Sequence, residues 1–436
     1  MTGRRIGDPI TPEVLDENDR TGRSLALSPD MAARLAATKL VWANPEPGHA
    51  DGQTWFQLVP RPGMVGAVRC LGLAPHPSPS AAGPTQPGEC DVIVHAKARF
   101  SSILFMLAYA ADPGFRPNYV HGDEDDDIWP TVAQTFAMLT ERALTHGLLR
   151  GYTDRDDALP YMRGRLRASD QVRRHFTIPL PLEVHYREYT PNTPENRILR
   201  TALGRLLRVP HLGPGLTRRL RRLGGQLAAA VPLHSGEPIP RWQPTRLNRA
   251  YQPALRLAEL VLRHLGLTLK QGGERVASFV VYMPKVFEDF VGTAIREALH
   301  GAPGEISTQH SEPFDEDGTA KVRPDVALVR GGKVAAVWDA KYKLSRDQDH
   351  GTSPDLYQML AYCVRFGLTD GHLVYVDDGV DSDGTGSISH ADYLRVCDSV
   401  CDAKPEIRIH LHRLDVKQEP DRLLAQMKDI AQAATT

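Results

Sequence analysis

The sequence predicts an α/β protein, with a C-terminal region built on a central mixed β-sheet flanked by helices. An α+β N-terminal region and a mainly helical middle region precede it. Three observations carry this expectation. From residue 271 onward, short apolar runs of strand length alternate with segments of helical period. Between 161 and 270, leucine-striped segments dominate. Before 160, strand-like runs around a Pro-Gly turn give way to two helical stretches.

In chain order, WFQLVP (55–60) and MVGAVRCLGL (64–73) read as strands around that turn. PHPSPSAAGPTQPGE (75–89) lacks apolar periodicity and reads as an exposed loop, with CDVIVHA (90–96) a strand beyond it. SSILFMLAYA (101–110) and TVAQTFAMLTERALTHGLL (131–149) have helical character. Between them GDEDDD (122–127) reads as a solvated loop, because it lacks the ligand alternation, central Gly and closing Glu of a calcium loop. In the middle region, FTIPLPLEVHYREYT (176–190) alternates as an edge strand interrupted by prolines. PNTPENRILRTALGRLLRV (191–209) starts a helix, with Asn192 or Thr193 as cap and Pro194 in the first turn. LTRRLRRLGGQLAAAV (216–231) places Leu216, Leu220, Leu223 and Leu227 on one stripe and turns Arg218, Arg219, Arg221 and Arg222 away from it. Those arginines suit either a solvated face or contact with phosphates or a partner. LNRAYQPALRLAELVLRHL (247–265) is a further helix.

The last region, 271–436, holds a helix after Pro284 with Phe287, Phe290, Val291 and Ile295 on its core side. The stretch KVRPDVALVRGGKVAAVWDAKYKL (321–344) follows, then a helix at 353–366 with Ser353 as cap, strands at 372–377 and 406–414, and a closing helix at 421–432.

The chain's 436 residues exceed one ordinary core and suggest two or three domains: 1–160, 161–270 and 271–436. A formal net charge of −1 gives no global sign of nucleic-acid binding, so any basic surface is local. Five cysteines in so long a chain form no disulfide framework, which fits a reducing cytosol. No run reaches membrane-spanning length and the N-terminus lacks a signal-peptide core, so a soluble cytoplasmic protein is expected.

The chemistry concentrates in 321–344. VALV and VAAVW are apolar on both faces, as in a hairpin lying centrally under helices, and Gly331-Gly332 forms its turn. That pairing brings Asp325 near Asp339, and Lys341 follows Asp339 on the same face. Two adjacent carboxylates repel unless a proton or a cation separates them. Hard oxygen ligands beside an ammonium suit Mg²⁺ or Mn²⁺ and a phosphodiester. Lys341 can orient or deprotonate a water and stabilise developing charge. As a strand-end lysine it is expected to contribute little to core burial. Glu288, on the preceding helix, can supply a third carboxylate, and Gln358 lies on the following helix within reach of a ligand. The competing reading is a hairpin with ordinary strand-end acids and an exposed lysine. Cys397-x3-Cys401 with His410 and His412 raises the thought of zinc, but Arg408, His410 and His412 are also the polar face of an alternating strand.

Pro324-Asp325 and Asp339-Ala340-Lys341 resemble the signature of the PD-(D/E)xK nuclease superfamily. The wider pattern resembles the McrC family, the nuclease subunit of McrBC-type modification-dependent restriction systems. Its matching stretches are GRLRASDQV (164–172), YTPNTPENRILRTAL (189–203), RLNRAYQPALRLAELVL (246–262), FVVYMPKVFEDFV (279–291), RPDVALV (323–329), DAKYK (339–343) and DLYQMLAYC (355–363). The resemblance implies a restriction-endonuclease-like fold for 271–436. It makes Asp325 and Asp339 metal ligands, the Ala340 carbonyl a further ligand, Glu288 the helix-borne acid, Lys341 the catalytic lysine and Gln358 a supporting residue. It also implies double-stranded DNA as substrate, methylcytosine-containing in this system, and an McrB-like AAA+ GTPase hexamer as partner, engaged and stimulated through 1–160. The chain has no G-x-x-x-x-G-K-[ST] motif, so the nucleotide engine is expected on a separate subunit. A stand-alone PD-(D/E)xK nuclease and a GTPase-activating adaptor with a weak nuclease are the alternative readings.

Overall fold

The structure is a computed structural model and describes residues 13–46, 54–71, 89–120, 128–175, 180–209, 212–234, 236–269, 275–344, 354–377, 392–395 and 407–434. Residues 75–88 of the loop expected at 75–89, the acidic run 122–127, the Ser353 cap and the Cys397/Cys401 pair lie outside the described residues, and Glu89 begins a strand. The chain forms two compact units, one of residues 1–131 with 266–436 and one of 132–265. The first unit therefore joins most of the N-terminal region to the C-terminal region, which the sequence reading had set apart as consecutive segments.

A five-stranded sheet explains that joining. Its strands are β1 (Glu13–Asp16), β2 (Met64–Leu71), β3 (Glu89–His95), β4 (Leu265–Leu269) and β5 (Arg275–Tyr282), in the order β1-β3-β2-β5-β4. β5 runs antiparallel to β2 along its whole length, from Arg275 opposite Leu71 to Tyr282 opposite Met64. RVASFVVY directly precedes the helix read from Phe287 and its neighbours, and its distant partner strand is invisible to local periodicity. A three-stranded sheet of Arg23–Ala26, Trp55–Pro60 and Val41–Glu46 also belongs to this unit. Its core holds Leu15, Leu35, Leu40, Leu58, Val68 and Val92.

The second sheet of this unit has six strands: β6 (Glu305–Thr308), β7 (Val326–Arg330), β8 (Lys333–Leu344), β9 (Asp370–Asp377), β10 (Asp392–Arg395) and β11 (Arg408–Asp415). Their order is β6-β7-β8-β9-β11-β10. β6/β7, β7/β8 and β10/β11 are antiparallel, while β8/β9 and β9/β11 are parallel, so the sheet is mixed. Gly331 and Gly332 have φ of 57° and 78°, the left-handed pair that a two-residue hairpin turn of matching twist requires. Arg330 faces Lys333 across that turn, and Val326 faces Trp338 at the far end.

The helices packed on the sheets include α1 (Phe100–Ala111), α2 (Met283–Ala298), α3 (Pro354–Phe366) and α4 (Pro420–Ala433). α2 packs against α1, α4 and β8, and its Phe287, Phe290, Val291 and Ile295 are fully buried, as the sequence stripe predicts. α3 packs on β8 and β9, where Met359, Tyr362 and Cys363 meet Ala327, Val337, Leu373 and Tyr375. Period two along the strands then divides the residues. Asp325, Asp339 and Lys341 share the α3 side with Ala327 and Val337, whereas Tyr342 turns to the α2 side and meets the Phe287 ring at 6.0 Å.

In the unit of residues 132–265, the strand Leu182–Thr190 lies between Gly151–Leu159 and Arg165–Leu166. It is a central strand, not the expected edge. Pro181 precedes the paired segment, so no proline interrupts the ladder. Thr193 caps the helix Pro194–Leu206 by accepting from the Asn196 amide. On the helix Pro214–Gln226, Leu220 and Leu223 are buried, and Leu227 is buried just beyond its end. Arg219 and Arg222 of this helix both donate to Glu141, so half of the expected arginine face is ion-paired; Arg218 and Arg221 remain exposed.

Candidate active site

The hairpin register that places Val326 opposite Trp338 brings the next pair, Asp325 and Asp339, together at its open end. Asp325 Oδ2 accepts from the Ala340 amide at 2.9 Å. N–H and C=O of one strand residue leave by the same edge, so the Ala340 carbonyl also leaves toward Asp325. Asp339 is buried, and Lys341 Nζ lies 2.5 Å from its Oδ2. That close approach makes Lys341 the counter-ion of the buried carboxylate. The ammonium also donates to Gln358 Oε1 at 2.9 Å. Gln358 Nε2 donates to the Tyr362 hydroxyl at 2.6 Å, which donates to the Arg323 carbonyl at 3.0 Å. A chain of polar contacts thus runs from the ammonium back to the strand entering Asp325.

Burial governs the electrostatics of the cluster. Burial, then the charge of Asp339, pushes the Asp325 carboxyl up to about 7. Burial also raises Asp339, only partly offset by Lys341, with Asp355 adding to the rise. Burial pulls the Lys341 ammonium down, but Asp339, Asp355 and Asp325 outweigh it and hold the lysine charged. Both acids thus hold a proton more readily than free carboxylates, because one ammonium does not offset their burial and mutual repulsion.

Glu288 lies near enough to add to the rise at Asp325. Its carboxylate is nevertheless held by other groups: Oε1 accepts from Lys285 Nζ at 3.0 Å and from the Gln309 amide. Among the described residues, no three His, Cys, Asp or Glu side chains already converge as a metal cage. Mg²⁺ does not need one, because it takes one or two carboxylates and retains several waters. Asp325, the buried Asp339 and the Ala340 carbonyl are hard oxygen donors brought together, and they fit such an ion by chemistry and placement.

The site therefore assembles Asp325, Asp339, Ala340, Lys341 and Gln358, and leaves Glu288 beside it on a tether. Three participants escaped the sequence reading. Asp355, at the start of α3, is buried, pairs with Lys343 Nζ at 2.7 Å and accepts from the Tyr375 hydroxyl at 3.1 Å. An acid in a first helical turn reads as dipole compensation, and nothing local announces its burial. Tyr362 stands four residues after Gln358, a helical spacing that was available as a signal. Gln309, just beyond β6, carried none.

His372, His410 and His412 cluster on the other side of the same sheet, stacked at ring-centroid distances of 4.8 and 5.2 Å. His372 Nδ1 and His412 Nε2 are 3.0 Å apart. His410 bonds Asp370 at 2.8 Å. The sequence placed His410 and His412 on one polar strand face; in the structure His412 is buried.

Fold and site together define a mixed α/β protein with a cluster of two carboxylates and one lysine at the open end of its central hairpin. The family profile described as McrBC 5-methylcytosine restriction system component matches residues 86–376, more than half of the chain. The chain belongs to that family. It is similar over 89% of its length to a chain in the refined half-complex from a tetradecameric assembly of Thermococcus gammatolerans McrB AAA+ hexamers with bound McrC. There the TM-score is 0.53, the identity 17% and the coverage of the other chain 85%, a likeness of fold. A chain in the Thermococcus gammatolerans McrBC complex matches at a TM-score of 0.38 and 16% identity, covering 66% of this chain and 88% of that one. Comparison with curated proteins gives no match. Among the described residues no helix is long and apolar enough to cross a membrane.

Proposed function

We propose that this chain is the endonuclease subunit of an McrBC-type restriction complex, with a PD-(D/E)xK site that hydrolyses DNA phosphodiesters using Mg²⁺ or Mn²⁺. The observation that carries the proposal is the pair of adjacent carboxylates, Asp325 and Asp339, with Lys341 Nζ 2.5 Å from the second. Family membership over 86–376 supports the same reading. Asp325, Asp339 and the Ala340 carbonyl would hold the ion, with Glu288 at its margin. When bound, the ion supplies Lewis-acid polarisation of the phosphate and a more acidic water.

The chain's own groups do the rest. Lys341 places positive charge where charge develops on the attacked phosphate, and Gln358 fixes the lysine's direction. Tyr362 anchors Gln358 to the backbone before Asp325, which keeps lysine and carboxylates in one frame. The partner is an McrB-type AAA+ GTPase hexamer that selects methylcytosine-containing double-stranded DNA in the cytoplasm. Residues 1–160 engage that ring and stimulate its GTP hydrolysis.

The test is to co-purify the chain with the GTPase from its own genome and digest methylated and unmethylated plasmids with GTP and Mg²⁺. Cleavage restricted to methylated DNA, and abolished by Asp339→Asn, is expected. Equal cleavage of both plasmids without the GTPase would overturn the coupled-complex reading.

A further inference from the structure

Gln309 is the residue the proposed function leaves unexplained. It has φ of 62°, one of two non-glycine residues with positive φ among those described. A glutamine in the left-handed region is held there by its surroundings, and such strain gathers at functional sites. Two contacts hold it. Its backbone amide donates to the Asp325 carbonyl at 2.8 Å, one step beyond the last β6/β7 pair, Thr308 with Val326. Its side-chain amide donates to Glu288 Oε1 on α2. One residue therefore grips the backbone of one candidate ligand and the carboxylate of another.

We infer that Gln309 is a positioning residue that sets Glu288 against Asp325 for the divalent ion. The inference rests on the metal-site reading above. A neutral amide is suited to this task. It fixes the carboxylate's orientation without cancelling its charge, and it occupies only one of the two oxygens. Lys285 also reaches Oε1, but it pairs with Asp289 at 2.9 Å as well and is half exposed, so it does not define one geometry. The left-handed turn is the cost of aiming the side chain at α2 while the amide stays on Asp325. Extended backbone at this position would turn the side chain to another direction.

The experiment titrates Mn²⁺ into the full chain, followed by the loss of the free-ion paramagnetic resonance signal, for wild type, Asp325→Asn, Gln309→Gly and Gln309→Met. Groups that orient metal ligands typically contribute about 10- to 100-fold in affinity. Gln309→Gly removes the amide and relaxes the left-handed backbone; Gln309→Met keeps the length and the strain. Both should weaken Mn²⁺ by about tenfold, and Gln309→Gly should melt no lower than wild type. In the complex, the Mg²⁺ concentration for half-maximal cleavage should rise while the rate at saturating Mg²⁺ is retained. Wild-type Mn²⁺ affinity in both variants would overturn the inference, as would a loss in Gln309→Gly accompanied by an equal loss of thermal stability. Failure of the wild type itself to bind Mn²⁺ would overturn the metal-site reading beneath it, and Asp325→Asn marks that outcome separately.

Discussion

Replacing Lys341 by alanine should destabilise the metal-free protein, although a strand-end lysine reads as dispensable to the core. The structure makes it the counter-ion of Asp339, 2.5 Å away, and that carboxylate is only 2% exposed. Removing one partner of a buried pair typically costs about 3–5 kcal/mol, because the remaining charge is left uncompensated. Proton uptake sets a ceiling on the loss. Neutralising one carboxylate near pH 7.5, against an unfolded value of about 3.9, costs roughly 5 kcal/mol. The expected loss is therefore on the order of 3–5 kcal/mol, read as a lower urea midpoint in the presence of chelator. Lys341→Ala/Asp339→Asn should recover most of it, since the orphaned charge is gone. Mg²⁺ should rescue the single variant and not the double. A single variant that unfolds at the wild-type urea concentration in chelator would refute the reasoning, for Asp339 would then not depend on Lys341.

The buried histidines predict an acid-sensitive fold: burial, then the neighbouring imidazoles, pushes His372 down to about 3 and His412 down to about 4. Folded values below the ordinary 6.5 mean that their contribution is intact above about pH 6.5 and lost as pH falls toward 4, on the order of 2–4 kcal/mol by pH 5. Urea midpoints of wild type should fall over that window, and those of His372→Phe/His412→Leu should fall less; parallel curves would contradict the assignment. Asp370 and His410 face the same cluster, so both are kept unchanged in the comparison. Gly371→Val should lower stability by about 1–3 kcal/mol and cut cleavage as well, because a Cβ there would lie 2.7 Å from Met359 Sδ and 2.8 Å from Cys363 Sγ on α3. Wild-type melting and cleavage in that variant would show that α3 does not dock as described.

The site was legible where chemistry followed strand period. The Gly-Gly turn, the two apolar runs and the spacing of Asp339 and Lys341 signalled it, but an unbulged two-residue hairpin would pair Asp325 with Trp338. The register shift between Leu328 and Val329 is what sets Asp325 opposite Asp339. Helices with strong stripes, such as the one carrying Phe287 and Phe290, were legible for the same reason. What escaped depends on distant partners. β5 pairs with β2 some two hundred residues away, so nothing near either strand reveals that the N-terminal region shares a compact unit with the hairpin. The strand GYTDRDDAL carries charges in place of alternation. Arg155–Glu188 at 2.8 Å and His185–Asp156 at 2.7 Å join it to its neighbour instead. Gln309 was unreadable because its role lies in a backbone angle and a contact with Glu288.

Asp325→Asn assembled with the GTPase hexamer offers the most direct test of the proposed metal-dependent nuclease centre. GTP turnover and single-turnover cleavage of methylated DNA would be measured on the same preparation in Mg²⁺. The variant keeps the side chain's size and removes one ligand charge. Cleavage should fall by at least about a hundredfold, GTP turnover should match wild type, and chelator should abolish cleavage by the wild type. Undiminished cleavage by Asp325→Asn, or by wild type in excess chelator, would contradict the account.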